Sequence, residues 1–232
     1  MTVIQRILGS LLLLLIFTPT QNALSEVLGT KWPKTSATFL TGGLPLGGPA
    51  SGLPGDSETW RESVAEAANR WNDAQSAFKL VTSSTVGSGI CQNFGDNNLI
   101  FLPQACNSTF GAKTLAVTAS WSSGSTIVKS DIIFNSNQDW GIYDGTLRFT
   151  PEDFRRVTMH ELGHAMGLAH TTTETALMFT TATNTYLPTP DDVESLESIY
   201  KEEKDSGGIS HLLLLALGIW GLRLISAHKK AD

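Results

Sequence analysis

Cysteine is almost missing: Cys91 and Cys106 are the only two in 232 residues. So few thiols exclude a disulfide-dense scaffold and a four-thiolate zinc finger. The pair lies in one Gly/Asn-rich stretch. In an exported chain it would form a single disulfide closing a loop of about 15 residues, worth roughly 3 kcal/mol in the chain-entropy model. Two free buried thiols are the alternative, and a catalytic thiol has no His near it in sequence. Positive charge is also short, with 16 Lys+Arg against 22 Asp+Glu. Between Glu26 and Asp205 the balance is 12 basic to 21 acidic residues, a net charge near −9. Nucleic acid needs a basic face, so it is excluded as a partner. Histidine is scarcer still: there are five, and none precedes His160. What remains, 41% hydrophobic and 16% charged residues with 21 Gly, is an ordinary globular composition. The length suits one catalytic domain with a sorting segment at each end.

Those end segments have distinct patterns. Arg6, the apolar run Leu8 to Phe17, the break at Pro19 and the small residues of Ala23-Leu24-Ser25 make an export signal over residues 1–25, cleaved before Glu26. An uncleaved anchor is the alternative, although the apolar run is short for a bilayer. At the other end, Asp205-Ser206-Gly207-Gly208 breaks the chain before an apolar run from Leu212 to Leu222, then Arg223 and the pair Lys229-Lys230. One reading is a short membrane span with its positive end in the cytoplasm, Arg223 snorkelling. The Ser-Gly-Gly, apolar run and basic end also resemble the carboxy-terminal sorting signals of some Gram-negative bacteria, which a rhomboid-like protease removes. Both readings stay open. Either places the chain at the cell surface, in the periplasm or outer membrane, or outside the cell. The membrane is a partner unless the tail is removed, and the chain is read as a monomer.

Between the ends, no internal repeat occurs. Lys31-Trp32-Pro33 leads to a strand near Ala37 to Leu40, and residues 42–56 form a Gly/Pro-rich loop. Asp56 or Ser57 can cap a helix whose buried face is Trp60, Val64, Ala67, Ala68 and Trp71. Short β-type runs follow at Phe78 to Val81, Leu99 to Leu102, Leu115 to Ala119 and Ile127 to Phe134. Thr150-Pro151-Glu152-Asp153 and Thr189-Pro190-Asp191-Asp192 each place a capping Thr before a Pro at the first helical position. The second helix would bury Val193, Leu196, Ile199 and Tyr200. Strands followed by helices, with one early helix, predict an α+β domain over residues 26–204.

The helix from Pro151 runs into His160-Glu161-Leu162-Gly163-His164-Ala165-Met166-Gly167-Leu168-Ala169-His170. His160 and His164, four apart, share one helical face at a separation that suits one metal ion. Glu161 beside them reaches a water rather than the metal. Gly167 can take the positive φ that ends the helix, which lets His170 swing in as third ligand. Three nitrogens and one open position describe a catalytic zinc site, with Glu161 as general base. The alternative, a helix with histidines on a solvated face, does not explain the Glu and both glycines.

This stretch resembles the metzincin pattern His-Glu-x-x-His-x-x-Gly-x-x-His, and Ala176-Leu177-Met178-Phe179 resembles the Met-turn of that clan. Within it the chain is most similar to the matrixins, the matrix-metalloproteinase-like family. Gly163, Gly167-Leu168, Asp191-Asp192-Val193 and Ile199-Tyr200 carry that similarity, which spans residues 31–201. The resemblance implies a zincin fold: a twisted mixed sheet, an active-site helix and a C-terminal helix. It implies a zinc endopeptidase acting on proteins or peptides, with Met178 beneath the metal. It places substrate along an edge strand at Leu115, Ala116 and Val117, and makes Phe179 to Pro188 the outer wall of the pocket after the scissile bond. The chain departs from the animal enzymes in several places. Only about five residues separate the predicted cleavage site from Lys31, leaving no room for an inhibitory propeptide. Val117 and Ile133 stand where that family often has His, which argues against a second, structural zinc. Asn135 stands where an Asp is common, so a calcium ion is unsupported. Thr180 replaces the Tyr of astacin-like enzymes. A non-catalytic zinc-binding surface protein on the same fold is the competing reading.

Overall fold

A computed structural model describes residues 28–200 except Ser76 and Phe149. The export signal (1–25) and the tail (205–232) lie outside the described residues. Runs of β-branched and aromatic residues build five strands: β1 (Ser36–Leu40), β2 (Lys79–Ser83), β3 (Asn97–Leu102), β4 (Ala116–Ser123) and β5 (Thr126–Asn135). They lie side by side in the order β2-β1-β3-β5-β4. All neighbours are parallel except β4, which runs antiparallel to β5 through the turn at Gly124-Ser125. Hence β4 is an edge, and no strand pairs on its other side among the described residues. Two further strands, β6 (Trp140–Gly141) and β7 (Glu152–Asp153), pair with each other. Among the described residues three helices complete the α+β fold that the sequence predicts: α1 (Trp60–Ala74), α2 (Phe154–Ala165) and α3 (Pro190–Tyr200).

Helices α1 and α2 pack together against the sheet, and their contact is the core. The stripe read from the sequence is buried, with Val64, Ala67 and Trp71 fully enclosed. Trp71 also donates its ring N–H to the Met159 carbonyl of α2 at 2.8 Å. Rings of Trp60, Phe101, Phe134, Trp140 and Phe154 stack edge and face beneath the start of α2. At the far end of α2, Trp32 donates to the Ala165 carbonyl and Tyr200 to the Met166 carbonyl, both at 2.8 Å. The first and last described segments thus clamp the end of α2.

Several boundaries differ from the sequence reading. Thr59, not Asp56 or Ser57, caps α1, because its hydroxyl accepts from Glu62 N–H while Glu62 returns a bond to Thr59 N–H. Residues 54–57 form a separate 3-10 turn. Asp153, not Thr150, caps α2, accepting from Arg156 N–H. Glu152 and Asp153 are extended instead, since their backbone pairs with β6. In α3, Val193 is only half-buried, while Asp192 and Ser195 take inward positions. Cys91 and Cys106 are joined as a disulfide. The loop it holds is also pinned by Lys129, a buried lysine whose ammonium donates to Gly89 O, Gln92 O and the buried Asp131 carboxylate.

Candidate metal centre and active-site cleft

The end of α2 decides where the third histidine falls. Gly167 has φ +106°. Its N–H donates to His164 O at 2.9 Å and Leu168 N–H donates to Gly163 O at 3.0 Å, the paired bonds of a Schellman cap. A Cβ at Gly167 would also meet the Thr30 carbonyl oxygen at 2.7 Å, so conformation and space both require glycine. Beyond the cap His170 returns to the helix. Its Nε2 lies 3.2 Å from His160 Nε2 and 3.1 Å from His164 Nε2.

The other ring nitrogens set the tautomers. His160 Nδ1 lies 2.8 Å from the Leu177 carbonyl and His164 Nδ1 lies 2.8 Å from the Leu168 carbonyl. A carbonyl can only accept, so each Nδ1 carries the proton and each Nε2 presents a lone pair. Burial lowers the pKa of both rings, His160 to about 4 and His164 to about 4, and keeps them neutral. Converging lone pairs with at most one proton among them repel unless a cation sits between. A tetrahedral zinc with nitrogens at 2.0–2.1 Å requires them about 3.3 Å apart, close to the spacing found. The donor set therefore fits zinc: His160 and His164 are neutral imidazoles, each oriented by a carbonyl behind it, and His170 Nε2 closes on both.

Glu161 lies one position along the helix and faces β4. Its buried carboxylate takes a hydrogen bond from Thr118 Oγ1 to Oε2 at 2.6 Å. Burial raises its pKa, against the opposing pull of His164 and the Thr118 hydroxyl. Among the described residues Oε1 has no partner, and Glu161 lines the cleft. That leaves one oxygen anchored and the other able to accept a proton from a substrate-side group.

Met178 is fully buried against the same helix, beside Gly163. A Cβ at position 163 would sit 2.4 Å from its sulfur, so the Met side chain touches the helix only because residue 163 is glycine. Asp192 holds this turn in place. Its buried carboxylate accepts from Leu177 N–H (2.9 Å), Met178 N–H (3.1 Å), Thr189 N–H (2.8 Å) and Thr189 Oγ1 (2.6 Å). Leu177 in turn orients His160, so Asp192 is linked to the metal centre through two hydrogen bonds. In the sequence Asp192 is only the second acid of a helix start. Its spacing three residues after Thr189 is the one signal of an inward role.

A cleft of about 670 Å³ opens beside these groups, bordered by Leu115, Ala116, His160, His170, Leu177 and Phe179. Val117 does not border it. Leu115 O accepts from Asn135 N–H at 2.8 Å, which fixes the alternation of the antiparallel ladder. Backbone groups of Leu115 and Val117 therefore turn towards β5, and those of Ala116 and Thr118 turn to the open edge. Of the trio read from the sequence, Leu115 and Ala116 border the cleft, and only Ala116 turns its backbone to the open edge. The outer wall, residues 179–185, is tied down by a residue that the sequence does not reveal. Arg156 is buried on α2 and donates to the Thr183 carbonyl, to Gly145 O at 2.7 Å and to Asp153 Oδ2 at 3.1 Å.

Among known families, the matrixin model matches residues 54–201. A comparison with curated proteins finds no match.

Proposed function

The chain belongs to the matrixins, a zinc metalloprotease family, and from that membership we propose an exported endopeptidase with one catalytic zinc. His160, His164 and His170 are its ligands and Glu161 is its general base. One observation carries the reading: two imidazoles with Nδ1 protons committed to carbonyls turn their Nε2 lone pairs towards the third. A zinc ion held there supplies Lewis-acid polarisation of the scissile carbonyl and acidifies the attacking water. The protein's own groups do the rest. An extended peptide pairs with the open edge of β4 through the backbone of Ala116 and Thr118, as an added strand. Its carbonyl then faces the histidines, and the residue beyond the scissile bond enters the cleft between α2 and the wall from Phe179. Glu161 Oε1 takes a proton from the water as the new C–O bond forms. The same oxygen gives that proton to the amine nitrogen as the C–N bond breaks.

The site takes protein or peptide substrates, and a single chain supplies all of it. Export rests on residues 1–25, and retention at a membrane or release rests on residues 205–232. Among the described residues no helix is long and apolar enough to cross a membrane. The test is cleavage of casein by the purified chain beside Glu161→Ala, with zinc measured per chain. One zinc and cleavage by the wild type alone support the reading. One zinc with no cleavage of casein or of a peptide library would leave a zinc-binding surface protein on a protease fold.

A further inference from the structure

Thr118 lies 43 residues before Glu161, on the edge strand rather than the active-site helix. Its side chain shares a face of β4 with Ala116, the face turned to α2. Thr118 Oγ1 is 2.6 Å from Glu161 Oε2 and 3.0 Å from the Glu161 backbone oxygen. A hydroxyl has one proton to donate and lone pairs to accept with. With Glu161 ionised, that proton points to Oε2. With the water's proton on Oε1, Oε2 is still an acceptor and the same hydroxyl still donates to it. Both states keep this bond without moving a heavy atom.

We propose that Thr118 is a positioning residue for the general base, holding the Glu161 carboxyl in one orientation through both halves of the proton transfer. It anchors Oε2 and so directs Oε1 to the cleft. The bond that forms and breaks on substrate is unchanged: water's proton goes to Glu161 and then to the leaving amine. Thr118 exchanges no proton with substrate. A general base contributes about 10²–10⁴ to rate only when it is aligned, so loss of the anchor affects turnover rather than binding. The backbone of residue 118, which the peptide pairs with, is the same in every side-chain variant. This inference rests on the endopeptidase reading.

The experiment uses the full zinc-loaded chain and a quenched-fluorescence peptide that the wild type cleaves. Thr118→Val keeps the shape and removes the hydroxyl; Thr118→Ser keeps the hydroxyl and removes the methyl. For Thr118→Val, kcat is expected to fall about ten-fold or more, with KM within about two-fold and one zinc per chain. Thr118→Ser stays within about three-fold of wild type. In crystals of the zinc-loaded forms, the Glu161 carboxylate keeps its orientation in wild type and Thr118→Ser and turns in Thr118→Val. Unchanged kcat in Thr118→Val, an unmoved carboxylate, or an equal loss in Thr118→Ser would overturn the proposal. Should Thr118→Val not fold, Thr118→Ala against Thr118→Ser carries the same contrast. A wild type as inactive as Glu161→Ala would defeat the endopeptidase reading and this inference with it. An active wild type with a dead Glu161→Ala and a normal Thr118→Val defeats this inference alone.

Discussion

The two halves of the site are built by different means. One half, His160 to His170, is local: a helix turn, a glycine cap and three imidazoles within eleven residues. The other half is gathered from afar: Thr118 from the edge strand, Met178 from the turn, Asp192 from the last helix, and Arg156 reaching across to Thr183. In the proposed mechanism the local half supplies the reacting groups. The distant half fixes their orientation, and it does so with single buried hydrogen-bonding or packing groups whose loss the local half cannot replace. Chemistry here is therefore concentrated while positioning is dispersed.

Variants can separate the halves, and the largest effects belong to the local one. His164→Ala leaves two imidazoles, so bound zinc falls well below one per chain and proteolysis is lost; a chelator does the same to the wild type, and added zinc restores it. Retained full occupancy in His164→Ala would break the contrast at once. Next is Asp192→Ala, which strands four backbone or hydroxyl donors and removes bonds to a charged group, costing about 2–3 kcal/mol. Through Leu177 and His160 it also weakens zinc binding, about ten-fold, at the low end for outer groups. Denaturant titration and competition with a zinc-binding dye measure the two. Gly163→Ala drives a methyl into Met178, and overpacking of this kind costs about 1–3 kcal/mol. A normal melting temperature there would show that Met178 is not held against the helix.

A last contrast is a pH dependence of the metal-free chain. His160 and His164 have pKa values of about 4 in the fold, against 6.5 for a free histidine. Between those values the unfolded chain binds more protons, so stability is full above pH 6.5 and falls as the pH drops towards 4. Burial raises the Glu161 pKa and works the other way. A double variant His160→Gln/His164→Gln isolates the histidine part. Thermal melts of chelated protein from pH 7 to pH 4.5 should fall more steeply for the wild type than for that variant. Parallel curves would mean that the imidazoles are not held neutral.

The same division explains what can be read from the sequence. Helical spacing makes the α1 stripe and the His160–His164 pair visible, because residues four apart face one way whatever surrounds them. Gly167 is visible for a similar reason: one residue type suits that φ. Helix starts are less legible. Asp56, Ser57 and Thr59 are all good caps, and only the reciprocal bond with Glu62 selects Thr59. Likewise Thr150-Pro151 has the composition of a helix start, yet the pairing of Glu152 and Asp153 with β6 delays α2 to Phe154. In β4 the hydrophobic run locates the strand but not its phase: Leu115, Ala116 and Val117 are read together as the pairing edge, whereas the ladder turns outwards the backbone of Ala116 and Thr118. Thr118, Asp192 and Arg156 are invisible because their partners are set by packing between elements, and no local rule names such partners.

The central claim is that three imidazole nitrogens and no sulfur hold one zinc ion in this cleft. X-ray absorption at the zinc edge of the fully loaded chain tests it most directly. The account predicts three imidazole nitrogens at about 2.0–2.1 Å with one further light atom completing the shell. A sulfur at about 2.3 Å, or a shell with one imidazole or none, would contradict it.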